Sequence, residues 1–103
     1  MFAVIYRWEI VPGREEQFVA GWHRCSTGIR QKFGSYGSRL HRTDDGLFVS
    51  YGRWPNPEAR EVYRAELDFD PVSFHMMRDA IARELPETRM YIVGDLLDEP
   101  AEG

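Results

Sequence analysis

The part of this sequence equipped for chemistry is an aromatic set with a few titratable companions. Tyr6, Trp8, Trp22, Tyr51, Trp54 and Tyr63 supply the rings, and His41, His75, Arg39 and Arg53 supply the protons and charge. Indoles stack on planar ligands, phenolic hydroxyls hydrogen-bond an oxygenated ring, an imidazole moves protons, and a guanidinium holds a phenolate or carboxylate. The chemistry these types suit is that of a small aromatic molecule. Trp54 is the leading candidate, because it ends a strand just before a helix begins, at a rim where sheet and helix open a cleft. His41, flanked by Arg39 and Arg42, is a candidate base, with Tyr51 and Tyr63 as further hydrogen-bonding or base groups. Tyr6, Arg39 and His75 are candidates for holding a substrate. Plain structural roles compete: Trp8 and Trp22 sit in regular apolar stripes and read as core. Tyr63 falls on the inward stripe of a helix, and His41 and Arg39 also suit a solvated hairpin.

Other chemistries find little support. No His-x-His, Cys-x-x-Cys or His-x-x-x-His pair exists to seed a metal site, and His75 with Asp79 is an ordinary pair four residues apart. Cys25 lies on an apolar helix stripe without a neighbouring base, the setting of a buried, inert thiol. The glycines of Gly34-Ser35-Tyr36-Gly37-Ser38 follow a helix and enter a strand, whereas a phosphate loop leaves a strand and opens a helix. No Gly-x-Ser-x-Gly elbow is present. Neither a metal nor a cofactor is expected.

Size and composition set the frame. At 103 residues the chain reads as one domain able to bury only a modest share of its surface alone, which makes oligomerisation a natural supplement. A net charge of −4 with scattered basic residues gives no reason to expect nucleic-acid binding. No apolar run approaches the roughly 20 residues that span a bilayer, and Met1–Arg7 reads as strand rather than signal peptide. A single cysteine suits a reducing compartment, so a cytoplasmic protein is expected.

The positioning elements follow from periodicity. Phe2, Val4, Tyr6, Trp8 and Ile10 alternate with Ala3, Ile5, Arg7 and Glu9, a strand halted by Pro12-Gly13. From Arg14, helical spacing links Phe18, Val19, Trp22, Cys25, Ile29 and Phe33, with Gly34 just past the end. Strands over Tyr36–Arg42 and Leu47–Trp54 flank Thr43-Asp44-Asp45-Gly46, whose Asp-Gly pair suits a tight hairpin. Asn56-Pro57-Glu58 is a capped helix start that turns Ala59, Val62 and Tyr63 inward, and Asp70-Pro71 repeats the device. The spacing predicts a helix from Pro71 to about Glu84, ended by Pro86, and a last strand from about Thr88 to Leu97. Residues 98–103 read as an acidic tail or an exchanging arm.

This order is that of an α+β, ferredoxin-like split βαβ domain: a four-stranded antiparallel sheet with helices on one face. The first and last strands carry apolar residues on both faces, so the open face is expected to be covered by a second copy.

Three stretches also resemble a known family: Tyr6-Arg7-Trp8-Glu9-Ile10-Val11-Pro12-Gly13-Arg14-Glu15-Glu16-Gln17-Phe18, Gly34–Arg42, and the Arg53-Trp54-Pro55 junction. The chain resembles the antibiotic biosynthesis monooxygenase (ABM) group of the dimeric α/β-barrel superfamily. The resemblance implies a homodimer with a pocket between sheet and helices in each subunit. It further implies a cofactor-independent monooxygenase acting on a hydrophobic aromatic or polyketide-like molecule, with Trp54 at the position of the family tryptophan. The amide that such enzymes carry a few residues earlier is absent, Ser50 and Gly52 standing there instead. Two alternatives accompany this reading. One is a non-catalytic small-molecule-binding or stress-related dimer of the same fold. The other is a heme-binding or heme-degrading member, for which His75 would face the cleft and Tyr6 stands where those members carry an Asn.

Overall fold

The computed structural model describes residues 1–66 and 69–97, and the expected tail at 98–103 lies outside them. Strand β1 (Phe2–Ile10) is followed by helix α1 (Glu15–Phe33), the hairpin β2 (Gly37–Arg42) and β3 (Phe48–Trp54), helices α2 (Pro57–Ala65) and α3 (Pro71–Ala80), and strand β4 (Ile81–Tyr91). The sheet order is β2-β3-β1-β4 with every neighbour antiparallel. This is the ferredoxin-like arrangement the sequence predicts.

Local chemistry explains most boundaries. Gly34 ends α1 at φ +74°, and Gly46 turns the hairpin at φ +89° with its N–H donating to Thr43 O at 3.0 Å. Asn56 caps α2 by accepting the Ala59 N–H at 2.9 Å, with Pro57 at the first helical position. Asp70 departs from the predicted repeat of that device. Its carboxylate does not cap α3 but pairs with Arg24 of α1 at 2.8 Å, while its backbone oxygen accepts from Ser73 Oγ.

The clearest correction concerns residues 81–91. The helix predicted to reach Glu84 stops at Ala80, and Ile81 to Tyr91 form an edge strand beside β1. Pro86 ends no helix. It lies in a bulge, where Pro86 and Glu87 stand opposite Tyr6 alone, between the pairs Arg7↔Leu85 and Ile5↔Thr88. An edge strand tolerates proline there because no ladder hydrogen bond is lost. Val62, expected inward, is exposed.

Phe2, Val4, Tyr6 and Trp8 of β1 face the helices and organise two apolar clusters. One joins Phe2 and Val4 to Trp54 and Tyr63; the other joins Trp8 to Phe18, Phe48 and Ala80; Tyr6 packs against both. Each large apolar side chain fully buried here contributes about 1.5–3 kcal/mol. The opposite face carries Ile5, Val49, Tyr51, Leu85 and Met90, all half-buried, together with Arg7, which donates to Thr88 Oγ1 at 2.9 Å.

Gly21 sets the approach of α1 to α3. A Cβ there would lie 2.9 Å from Met77 Cγ, 3.0 Å from Met76 Cβ and 3.2 Å from the Met77 backbone nitrogen. A Gly21→Val variant is expected to lose about 1–3 kcal/mol by overpacking, read as a lower urea midpoint. An unchanged midpoint would show that α3 gives way at no cost.

Candidate functional site

Strand β3 presents Phe48, Ser50, Gly52 and Trp54 to the helices. Two small residues thus stand between two large ones, and α1 passes above them with Trp22, Cys25, Ser26 and Ile29. The result is a cavity of about 90 Å³ whose lining includes those residues with Tyr6, Trp8, Trp54 and Tyr63. It is largely apolar, with serine and phenol hydroxyls at its edges.

Its aromatic walls are ordered by stacking. Trp54 lies against Tyr63 with centroids 5.8 Å apart and planes 21° off parallel, and Tyr6 against Trp8 at 5.8 Å and 9°. The Trp22 indole N–H donates to Ser50 Oγ at 3.1 Å.

The phenols differ in their surroundings. The Tyr6 hydroxyl accepts a hydrogen bond from Arg60 Nε at 3.0 Å, and Arg60 Nη2 donates to Glu87 Oε2 at 2.6 Å. Arg60 is only 3% exposed. Burial nevertheless outweighs the nearby cation and holds the Tyr6 hydroxyl above the usual phenol range. Burial raises Tyr63 strongly, and it pushes the Cys25 thiol up to about 11, assisted by the Asp70 charge and opposed by the Ser73 hydrogen bond. Both phenols and the thiol are therefore neutral at pH 7. The phenols donate hydrogen bonds well and the thiol only weakly, and all three remove protons poorly. Arg60 occupies an acceptor position on the Tyr6 oxygen, so that bond does not use the hydroxyl's own proton.

The sequence-predicted residues divide in space. Trp54, Tyr63 and Tyr6 converge on the cavity. Tyr51, Arg39 and His41 do not line the cavity and belong by register to the opposite face, with Arg39 across from Tyr51 and His41 across from Val49, but Arg39 and His41, on the edge strand β2, also border the open groove between β2 and α1. His41 is exposed, and its Nδ1 lies 3.2 Å from Val49 O. His75 sits on the outer side of α3, its side chain 76% exposed and 3.2 Å from Asp79; it does not line the cavity. Trp8 is core, as read, and also borders the cavity, whereas Trp22, read as core too, is half-buried and lines it. Arg60 went unnoticed although it stands three residues before Tyr63, on the same inward helical face. Among the described residues, no cluster of three or more His, Cys, Asp or Glu is arranged to hold a metal ion, and no helix is long and apolar enough to cross a membrane.

No known family matches the sequence, and no curated protein does. Solved structures do. SnoaB, a cofactor-independent oxygenase from Streptomyces nogalater, superposes with a TM-score of 0.77 at 15% identity over 94% of this chain and 97% of its own. The chain has the fold of this oxygenase. A candidate antibiotic biosynthesis monooxygenase from Bordetella bronchiseptica gives 0.76 at 21% identity, over 89% of this chain and 96% of its own. Rv0793 from Mycobacterium tuberculosis gives 0.74 at 18%, over 93% and 98%. The shared fold spans nearly the whole length of each of these chains.

The Arg60–Glu87 pair generates a stability prediction. Glu87→Gln leaves the buried guanidinium without its counter-charge. Because Glu87 is 34% exposed, the expected loss is about 1–3 kcal/mol, below that of a fully buried pair. In a double-mutant cycle with Arg60→Met, the double variant should lose less than the sum of the singles. Additive losses in denaturant melts would show that the two groups do not act together.

Proposed function

We propose that this protein is an ABM-type monooxygenase that binds an aromatic hydroxylated compound in the α1–β3 cavity and oxidises it with dioxygen, using neither metal nor flavin. The observation carrying the reading is the convergence of Trp54, Tyr63 and the Arg60-backed Tyr6 on one apolar cavity in this fold. A ring lies against Trp54, and its oxygen accepts from the Tyr6 hydroxyl.

The protein's part is to exclude water, hold the ring and stabilise the substrate anion as it forms. The anion transfers electrons to O₂, a carbon–oxygen bond forms, and the hydroperoxide loses water. A methylene thereby becomes a carbonyl with one oxygen atom from O₂, and the other leaves as water. With neutral phenols and thiol around it, the cavity stabilises an anion better than it abstracts a proton, which favours substrates that ionise readily themselves.

A non-catalytic binding protein of the same fold is favoured by one observation. The cavity of about 90 Å³ is smaller than the roughly 150 Å³ cavity known to admit benzene. Heme chemistry is not proposed, since the His75 it would use points away from the cavity. The apolar residues of the open sheet face support a homodimer in solution, and the lone buried Cys25 suits the cytoplasm.

The test is oxygen uptake with a hydroxylated anthrone. Trp54→Ala is expected to lower turnover by about 10²-fold through lost ring placement. Gly52→Val should abolish binding by filling the cavity, with little strain because a Cβ there makes only ordinary contacts, with Ser38 Cβ at 3.6 Å and Gly37 O at 4.0 Å. Uptake unchanged in both folded variants would remove the cavity from the reaction, and binding without uptake in the wild type would select the non-catalytic reading. Sedimentation at micromolar concentration is expected to give twice the 12.1 kDa chain mass; a monomer would refute the dimer.

A further inference from the structure

Beside the inner cavity runs a second and larger space, an open groove of about 840 Å³ between α1 and the edge strand β2, with Val19, Ala20, Leu40 and Phe48 among its walls. Among the described residues, the two spaces share Trp22 and Ser38 in their linings. Ser38 is too small to separate them, so the partition is the Trp22 indole. One neutral hydrogen bond, from its Nε1 to Ser50 Oγ at 3.1 Å, fixes the polar end of that indole. Ser50 itself is 3% exposed within β3, whereas Trp22 is only half-buried. A hydrogen bond of this kind has a small net worth, because water or a ligand hydroxyl replaces it.

We propose that Trp22 is the size-determining residue of the site, held in its restrictive position by Ser50. With the indole on Ser50, the inner cavity is smaller than one known to admit a benzene ring. When the indole leaves Ser50, cavity and groove become one elongated space. A fused-ring ligand then lies with its hydroxylated end at Tyr6 and Trp54 and its far end in the groove. The inference rests on the cavity being the binding site, and it explains how a fold with so small an inner cavity accepts a larger planar molecule. It also gives Ser50 a role as a positioning residue acting through Trp22.

The test is equilibrium dialysis of the full chain against phenol, 1-naphthol and 1-hydroxyanthracene. It compares the wild type with Trp22→Ala, Trp22→Phe and Ser50→Ala, with thermal melts to verify folding. Trp22→Ala is expected to raise the affinity for hydroxyanthracene relative to phenol about tenfold. Trp22→Phe and Ser50→Ala should move the same ratio in the same direction by smaller factors, and they carry the test where Trp22→Ala does not fold. An identical ratio in all folded proteins overturns the proposal while leaving the cavity as binding site, which Gly52→Val identifies by losing every ligand. Binding that survives Gly52→Val, or no binding in any protein, overturns both.

Discussion

The site depends on one constraint, the alternation of large and small side chains along the helix-facing side of β3. Phe48 and Trp54 hold the sheet and helix layers apart, while Ser50 and Gly52 between them leave the space unfilled. Protein interiors pack to nearly crystalline density, so a gap of this kind persists only where rigid neighbours prevent collapse. The neighbours here are the stacked pairs Trp54–Tyr63 and Tyr6–Trp8. Rings locked against one another cannot fall into the gap without losing their own contacts. The cavity is thus a consequence of the packing and lies in a place that function can use.

The same rings need bracing from the far side of the sheet, where β4 supplies it. A regular edge strand would set one residue opposite Tyr6, but the bulge sets two, Pro86 and Glu87. The extra residue lets the strand bend and re-aims a carboxylate toward α2, where Arg60 receives it. Arg60 then reaches the Tyr6 hydroxyl, so an irregularity in an edge strand fixes the polar end of a cavity residue. A charge this deeply buried is costly unless paired and hydrogen-bonded on several sides. Glu87 and Tyr6 meet that requirement, and the Tyr6 ring face lies 5.5 Å from the guanidinium carbon.

Much of the fold was legible because its signals are local. Period-two alternation in β1, the Asp45-Gly46 turn and the Asn56-Pro57 cap each act within a few residues. The failure at residues 81–91 has the opposite origin. Ile81-Ala82-Arg83-Glu84-Leu85 is rich in helix formers, and only pairing with β1 turns it into a strand. The candidate site divides in the same way. Trp54 and Tyr63 were found from their places at an element junction and on an inward stripe. Tyr51, Arg39 and His41 were grouped with them because their residue types suit, yet strand parity sets them on the other face. Trp22 passed as core, since a stripe cannot tell a residue that fills the interior from one that borders a gap.

The electrostatics of the cavity narrow the chemistry more than its shape does. Removing a proton requires a group that is unprotonated at working pH, and burial keeps Tyr6, Tyr63 and Cys25 protonated. Holding an anion requires hydrogen-bond donors, and a hydroxyl that already accepts from a cation, as Tyr6 does from Arg60, is a stronger one. A site with strong donors and no buried base favours reactions whose difficult state is an anion the substrate forms largely by itself. Direct transfer of electrons from such an anion to dioxygen is chemistry of that kind. Acyl transfer is disfavoured, because it would need the serines around the cavity to be activated by a neighbouring base, and the described residues lining it include neither histidine nor carboxylate.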